Sequence, residues 1–141
     1  MPAFITHLGR TLALSALLLI TGNVTATEIW VVTDVHNPVA SAQAADRFIQ
    51  LDAAQAIEAE LSAQLPDNPQ RAAVLVQRRL NEGGHAQQQR LREAYQGITD
   101  AWSLGITSIP AVVVDQRYVV YGEPDVARAI TRIEQQRRTQ P

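Results

Sequence analysis

The chain of 141 residues contains no cysteine and no lysine. Without a thiol there is no disulfide, no thiol–disulfide exchange, no cysteine nucleophile and no thiolate metal site. Any stable form must therefore be held by packing. The absence of lysine leaves arginine as the strong base throughout, which reads as a compositional habit rather than as a site. An excess of positive charge is missing as well: 12 basic residues stand against 14 acidic ones, formally −2, which argues against nucleic acid as a partner for the whole surface. Long apolar runs are also lacking. "TLALSALLLI", Thr11 to Ile20, falls short of the roughly 18 to 20 residues needed to cross a bilayer.

That short run has another reading. It follows Arg10 and precedes "GNVTA", which places the small residues Val24 and Ala26 where a signal peptidase needs them. Residues 1–26 are predicted to be a secretory signal peptide cut after Ala26. Removing 26 of the 141 residues leaves 115, with 11 basic against 14 acidic residues, formally −3. This is enough for one core and too little for two, so residues 27–141 are expected to form a single domain. No internal repeat or linker interrupts it.

What is present alternates strand and helix signals. "EIWVVT", Glu28 to Thr33, suits a buried strand. Asn37 and Pro38 are placed to cap and open a short helix through "VASAQAA". "RFIQL", Arg47 to Leu51, is a second strand, and Asp52 with Gln55 resembles a capping box. Ala54, Ile57, Leu61 and Leu65 line one face of a helix stopped by Pro66. Asn68 and Pro69 restart it, with Ala72, Leu75, Val76 and Leu80 as its apolar stripe, until "EGG" at Glu82 to Gly84. A third helix begins near His85, itself a solvated cap. It carries Leu91, Tyr95, Ile98 and Trp102 on one face, reads as core there, and stops at Gly105. "AVVV", Ala111 to Val114, lacks alternation, as a strand covered on both faces does. After a turn at Asp115 to Arg117, "YVVY" returns as Tyr118 to Tyr121. Gly122, Pro124 and Asp125 open a last helix with Val126, Ala129, Ile130 and Ile133 inward, and "QQRRTQP" is expected to fray.

This is the order of an α/β, thioredoxin-like fold with a helical insertion before the C-terminal β-hairpin. The first two strands are expected to be parallel with a right-handed crossover, and the last two antiparallel. The combination "EIWVVTD", "IQLDAAQAIEAELSAQLP", "AYQGITDAWSLGITSIPAVVVD" and "RYVVYGEPDVARA" resembles a family of small exported proteins encoded by integrating conjugative elements. The resemblance covers nearly all of the chain after the leader and is most distinctive from Ala94 to Ala129. It implies an accessory part of a conjugative type IV secretion apparatus in the periplasm of a Gram-negative bacterium, with other proteins of that machinery as partners. The C-terminal half is also similar in fold to the thioredoxin-like portion of pilin-assembly proteins.

In thioredoxin-like enzymes the redox dithiol follows the first strand, here "TDVHNPV", and both cysteines are missing. A disulfide oxidoreductase is thereby excluded. Pro110 has two readings. In one, Ile109–Pro110 is a cis peptide that turns the backbone of Ser108 and Ile109 toward the first loop, leaving an edge on which an extended peptide pairs. In the other, the proline simply starts a strand, where its missing N–H does no harm. Asp34 and His36 could pair as carboxylate and imidazole, but no serine nucleophile or third metal ligand is marked nearby. Tyr118 and Tyr121 fall on opposite faces of an edge strand, one free to recruit a partner or both packed in the hairpin. Arg78 with Arg79, and Arg128 with Arg132, read as solvated helix faces.

The expectation is a binding protein without catalytic activity, cofactor or metal. It would act through Val35, His36, Asn37, Pro38, Ser108, Ile109, Pro110, Tyr118 and Tyr121. The alternatives are a chaperone-like domain holding peptides or pilin at the proline groove, and a hydrolase or metal-binding protein using Asp34 and His36.

Overall fold

Four short runs rich in β-branched and aromatic residues form the sheet at the centre of the computed structural model, which describes residues 26–140. The strands β1 (Ile29–Thr33), β2 (Arg47–Gln50), β3 (Ala111–Val114) and β4 (Tyr118–Tyr121) lie in the order β2-β1-β3-β4. β1 and β2 are parallel, with Trp30 opposite Arg47 and Thr33 opposite Gln50. β3 runs antiparallel to both β1 and β4. All four residues of β3 are buried, as its unbroken apolar run requires.

Helices α1 (Ala53–Ser62), α2 (Pro69–Ser103) and α3 (Val126–Thr139) complete a mixed α/β architecture. The C-terminal part of α2 covers one face of the sheet, where Trp30, Val32, Ile49, Ala111 and Val113 pack with Ala101. On the other face, Val31 and Val112 pack with Val126 and Ala129 of α3. α1 joins α2 through Ala54, Ile57 and Ala94. The expected leader lies, except for Ala26, outside the described residues. No described helix is long and apolar enough to cross a membrane.

Local signals act at most boundaries. The Asn68 side chain accepts the Arg71 N–H at 3.0 Å, with Pro69 in the first turn. Gly84, at φ +55° and ψ −147°, interrupts α2 where "EGG" predicts a break, and the helix resumes at once. At its end, Gly105 takes φ +68°. The Gly105 N–H then bonds the Trp102 carbonyl and the Ile106 N–H bonds the Ala101 carbonyl, the paired closure that satisfies orphan carbonyls. Asp125 caps α3 by accepting from Ala127 and Arg128.

Five expectations are corrected. The helix expected through Val39 to Ala45 is only a 3-10 turn at Ala42–Ala44. The Ala40 N–H bonds the Pro124 carbonyl at 2.7 Å and its carbonyl accepts from Val126 N–H at 3.1 Å, so those groups are unavailable to a helix. Asp52 does precede α1, but its side chain does not cap it. At φ −93° and ψ 2° the residue lacks the extended conformation that aims a cap, and its Oδ2 accepts the Val35 N–H at 3.1 Å instead. α1 stops at Ser62 rather than Pro66, and Arg79 donates to the Leu61 and Ala63 carbonyls, each at 2.7 Å, to close it.

The inward face of the last α2 turns is Ala94, Gly97 and Ala101, not Tyr95 and Trp102. Trp102 is 81% exposed, and Tyr95 turns outward to donate its hydroxyl to Glu58 of α1. Small residues face the sheet because the helix approaches it closely: a Cβ at Gly97 would stand 3.0 Å from Ile49 Cγ2. Finally, the basic tail is helical through Thr139, where Arg137 pairs with Asp115 at 3.1 Å.

Candidate interaction surface

β1 and β3 are antiparallel, so the loop leaving Thr33 and the chain entering Ala111 meet at one end of the sheet, with Val32 opposite Ala111. Asp34 organises that loop. Its Oδ1 accepts the backbone N–H groups of His36 at 3.0 Å and Asn37 at 2.9 Å, and the Asn37 Nδ2 at 2.7 Å. Thr33 Oγ1 donates to the Asn37 carbonyl from the other side. Val35 is left 61% exposed, and His36 and Pro38 are exposed with it.

The hydrogen bond from the Asn37 side chain, joined by the backbone N–H groups of Asn37 and His36, holds the Asp34 carboxyl below its ordinary value of 3.8. A carboxyl depressed on folding stabilises the loop above its unfolded value and loses that contribution as pH falls through the folded one. In a carbon-detected NMR titration the Asp34 carboxyl should therefore show a midpoint under 3.8, with faster exchange of the Asn37 side-chain amide below it. A midpoint at or above 3.8 would mean the turn does not depend on the charge.

Pro110 stands across from this loop, and the Ile109–Pro110 bond is cis. The Pro110 carbonyl accepts the Gly122 N–H at 2.8 Å, adding one rung beyond the Ala111–Tyr121 pair. Ser108 is exposed and Ile109 half-buried against the core. Among the described residues no hydrogen bond engages the backbone of either. Tyr121, opposite Ala111 and 42% exposed, shares this end of the sheet. Tyr118 does not. It pairs with Val114 at the hairpin turn, roughly 10 Å along the strand, where Arg117 and Arg137 lie 5.5 and 5.3 Å from its ring centroid. The fold thus places Val35, His36, Asn37, Pro38, Ser108, Ile109, Pro110 and Tyr121 at one end of the sheet, with Val35 toward β2 and Tyr121 on β4, and sets Tyr118 at the other end.

No hydrogen bond joins the Asp34 carboxylate to the His36 ring among the described residues. Those residues also contain no group of three or more side chains able to hold a metal ion.

Sequence reasoning missed Glu123, which is 4% exposed behind the first loop. Its carboxylate accepts the Asp125 N–H at 3.2 Å and pairs with Arg128 at 3.6 Å and Arg132 at 3.3 Å. The carboxylate thus braces the start of α3, and the bonds of Ala40 to Pro124 and Val126 hold that start against the segment after the first loop. The spacing of Arg128 and Arg132, one helical turn apart, was the available signal; a lone glutamate between Gly122 and Pro124 has no periodicity that marks it as buried.

A family model matches residues 26–139, and the family is described as a protein of unknown function (DUF1525). No curated protein and no solved structure matches the chain.

Proposed function

The chain belongs to the DUF1525 family, and from that premise we propose that it is a thioredoxin-like, non-enzymatic binding protein of the periplasm. It serves as an accessory or assembly component of the conjugative type IV secretion apparatus of an integrating conjugative element. The sequence resemblance supports the setting. The parallel β1–β2 pair, the antiparallel hairpin and the proline ahead of β3 support the fold reading. The observation that carries the binding role is the Ser108–Ile109 backbone, which has no hydrogen-bond partner among the described residues, at the end of the sheet that also carries exposed Val35 and Tyr121. A partner segment can pair there with backbone groups while covering apolar surface. The loop is already ordered by Asp34, so little conformational entropy is lost on contact.

Deletion of the gene should reduce transfer of the parent element to background. The full chain should restore transfer, and a version lacking residues 1–26 should not. A photocrosslinker replacing Tyr121 should capture another component of the apparatus, whereas one at Tyr118 should not. Unchanged transfer after deletion removes the proposed role. Capture of nothing at Tyr121, with transfer lost, removes the proposed surface and leaves the role. The unbonded Ser108–Ile109 backbone also favours a chaperone-like reading, and selection of extended apolar segments from a peptide array would favour that reading over the assembly role.

A further inference from the structure

The opposite edge of the sheet carries a feature that the proposed function does not use. Among the described residues β2 has β1 as its only strand neighbour, so the backbone N–H and C=O groups on its outer side face away from any strand described. Beside that edge a groove of about 660 Å³ runs between β2, α1 and α2. Val35, Ala53 and Ala56 contribute apolar surface above the buried Ile49 and Ile57, and the small residues Ala94 and Gly97 keep the α2 wall low.

The charges around the groove are not balanced. Two arginines line it, but Arg47 is paired with Asp100 and Arg90 with Glu60. Two carboxylates also line it, Asp52 and Glu93, and neither has an ion-pair partner among the described residues. Asp52 is the more telling. One oxygen accepts the Val35 N–H, while the other, Oδ1, is buried with no hydrogen-bond partner among the described residues. A buried acceptor without a donor is unfavourable, so a basic group that reaches it gains more than it would from a hydrated carboxylate.

We propose that this groove binds an extended segment of a partner protein, laid along β2 as a fifth strand. Alternate side chains of the segment enter the groove: apolar ones lie over Ala53 and Ala56, and an arginine or lysine reaches Asp52. The strand edge selects for extended polypeptide and the residual negative charge selects for the basic side chain. The groove shares Val35 with the surface of the proposed function, but its β2 edge is separated from β4 and Tyr121 by β1 and β3, so failure of peptide binding here leaves the transfer and Tyr121 crosslinking tests untouched.

The test uses the full chain and a fluorescein-labelled hexapeptide, Val-Thr-Val-Thr-Arg-Thr, which puts two valines and the arginine on one face. Fluorescence anisotropy should show saturable binding, weakened about tenfold or more when glutamate replaces the peptide's arginine. Of two analogues N-methylated at alternate residues, the one that loses its β2-facing N–H groups should also bind about tenfold more weakly. Asp52→Asn, which keeps an acceptor for Val35, should erase the preference for arginine over glutamate. Ala56→Trp, an exposed position on the groove wall, should abolish binding while leaving the melting temperature close to that of the unaltered protein. The proposal is overturned by any one of four results: no saturable binding, equal binding of arginine and glutamate peptides, equal binding of the two N-methylated analogues, or full binding by folded Ala56→Trp. Competition by free arginine amide as effective as that by the peptide would also overturn it, because the site would then be one for a small cation.

Discussion

Trp30→Ala is expected to lower the unfolding free energy by about 3 to 5 kcal/mol, a large share of the roughly 5 to 15 kcal/mol typical of a domain. Trp30 is 8% exposed and belongs to the cluster that joins β1 and β3 to α2. The Arg47 guanidinium stands 4.5 Å from the centroid of its ring and is held there by Asp100. Truncation removes the ring from the core and leaves Arg47 without the surface it lies on. Trp30→Phe separates the two properties of the indole. Its Nε1 is buried with no partner, so phenylalanine loses volume but no hydrogen bond, and should cost about 1 to 2 kcal/mol. Urea denaturation followed by far-ultraviolet circular dichroism checks both, since the remaining Trp102 is exposed and its fluorescence reports poorly on the core. Equal losses for the two variants would show that a phenyl ring cannot stand in for the indole, so that the full bicyclic shape, rather than burial of an aromatic ring as such, carries the stability.

Gly97→Leu should cost about 2 to 3 kcal/mol or more, through overpacking rather than through a cavity. Gly97 lies on the buried side of α2 between Ala94, which packs on α1, and Ala101, which packs on the sheet, and a Cβ there would meet Ile49 Cγ2 at 3.0 Å. A single methyl asks Ile49 to yield by a few tenths of an ångström, and the helix gains up to about 1 kcal/mol when alanine replaces glycine. Gly97→Ala should therefore be nearly neutral. Leucine adds three further carbons with no room beside β2, so α2 must lift from the strand. Thermal unfolding of the pair provides the measurement. A leucine variant as stable as the alanine one would mean that α2 is free to shift, and that its close approach does not constrain the fold.

The two aromatic errors share a cause with this prediction. Tyr95, Ile98 and Trp102 recur at helical spacing, and large apolar residues at that spacing normally mark the buried face. Here the helix lies so near the sheet that only glycine and alanine fit between them, and the bulky residues are displaced to the sides. Asp52 shows the same limit at one residue. Its position before α1 was legible, but Val35, 17 residues earlier, captures its oxygen only because the parallel β1–β2 pair brings the two strand ends together.

Strand runs, helix stripes, the break at Gly84 and the stop at Gly105 are written locally, because periodicity and positive φ depend on neighbours a few residues away. The parallel and antiparallel pairing followed from element order and the usual handedness of crossovers. Only the folded chain decides that the loop after β1 and the chain entering β3 share one end of the sheet, that Glu123 is buried behind two arginines, and that β2 borders a groove whose residual charge is negative. Each of these depends on which distant segments come within a few ångströms, a quantity set by the packing of whole elements and absent from any short stretch of residues.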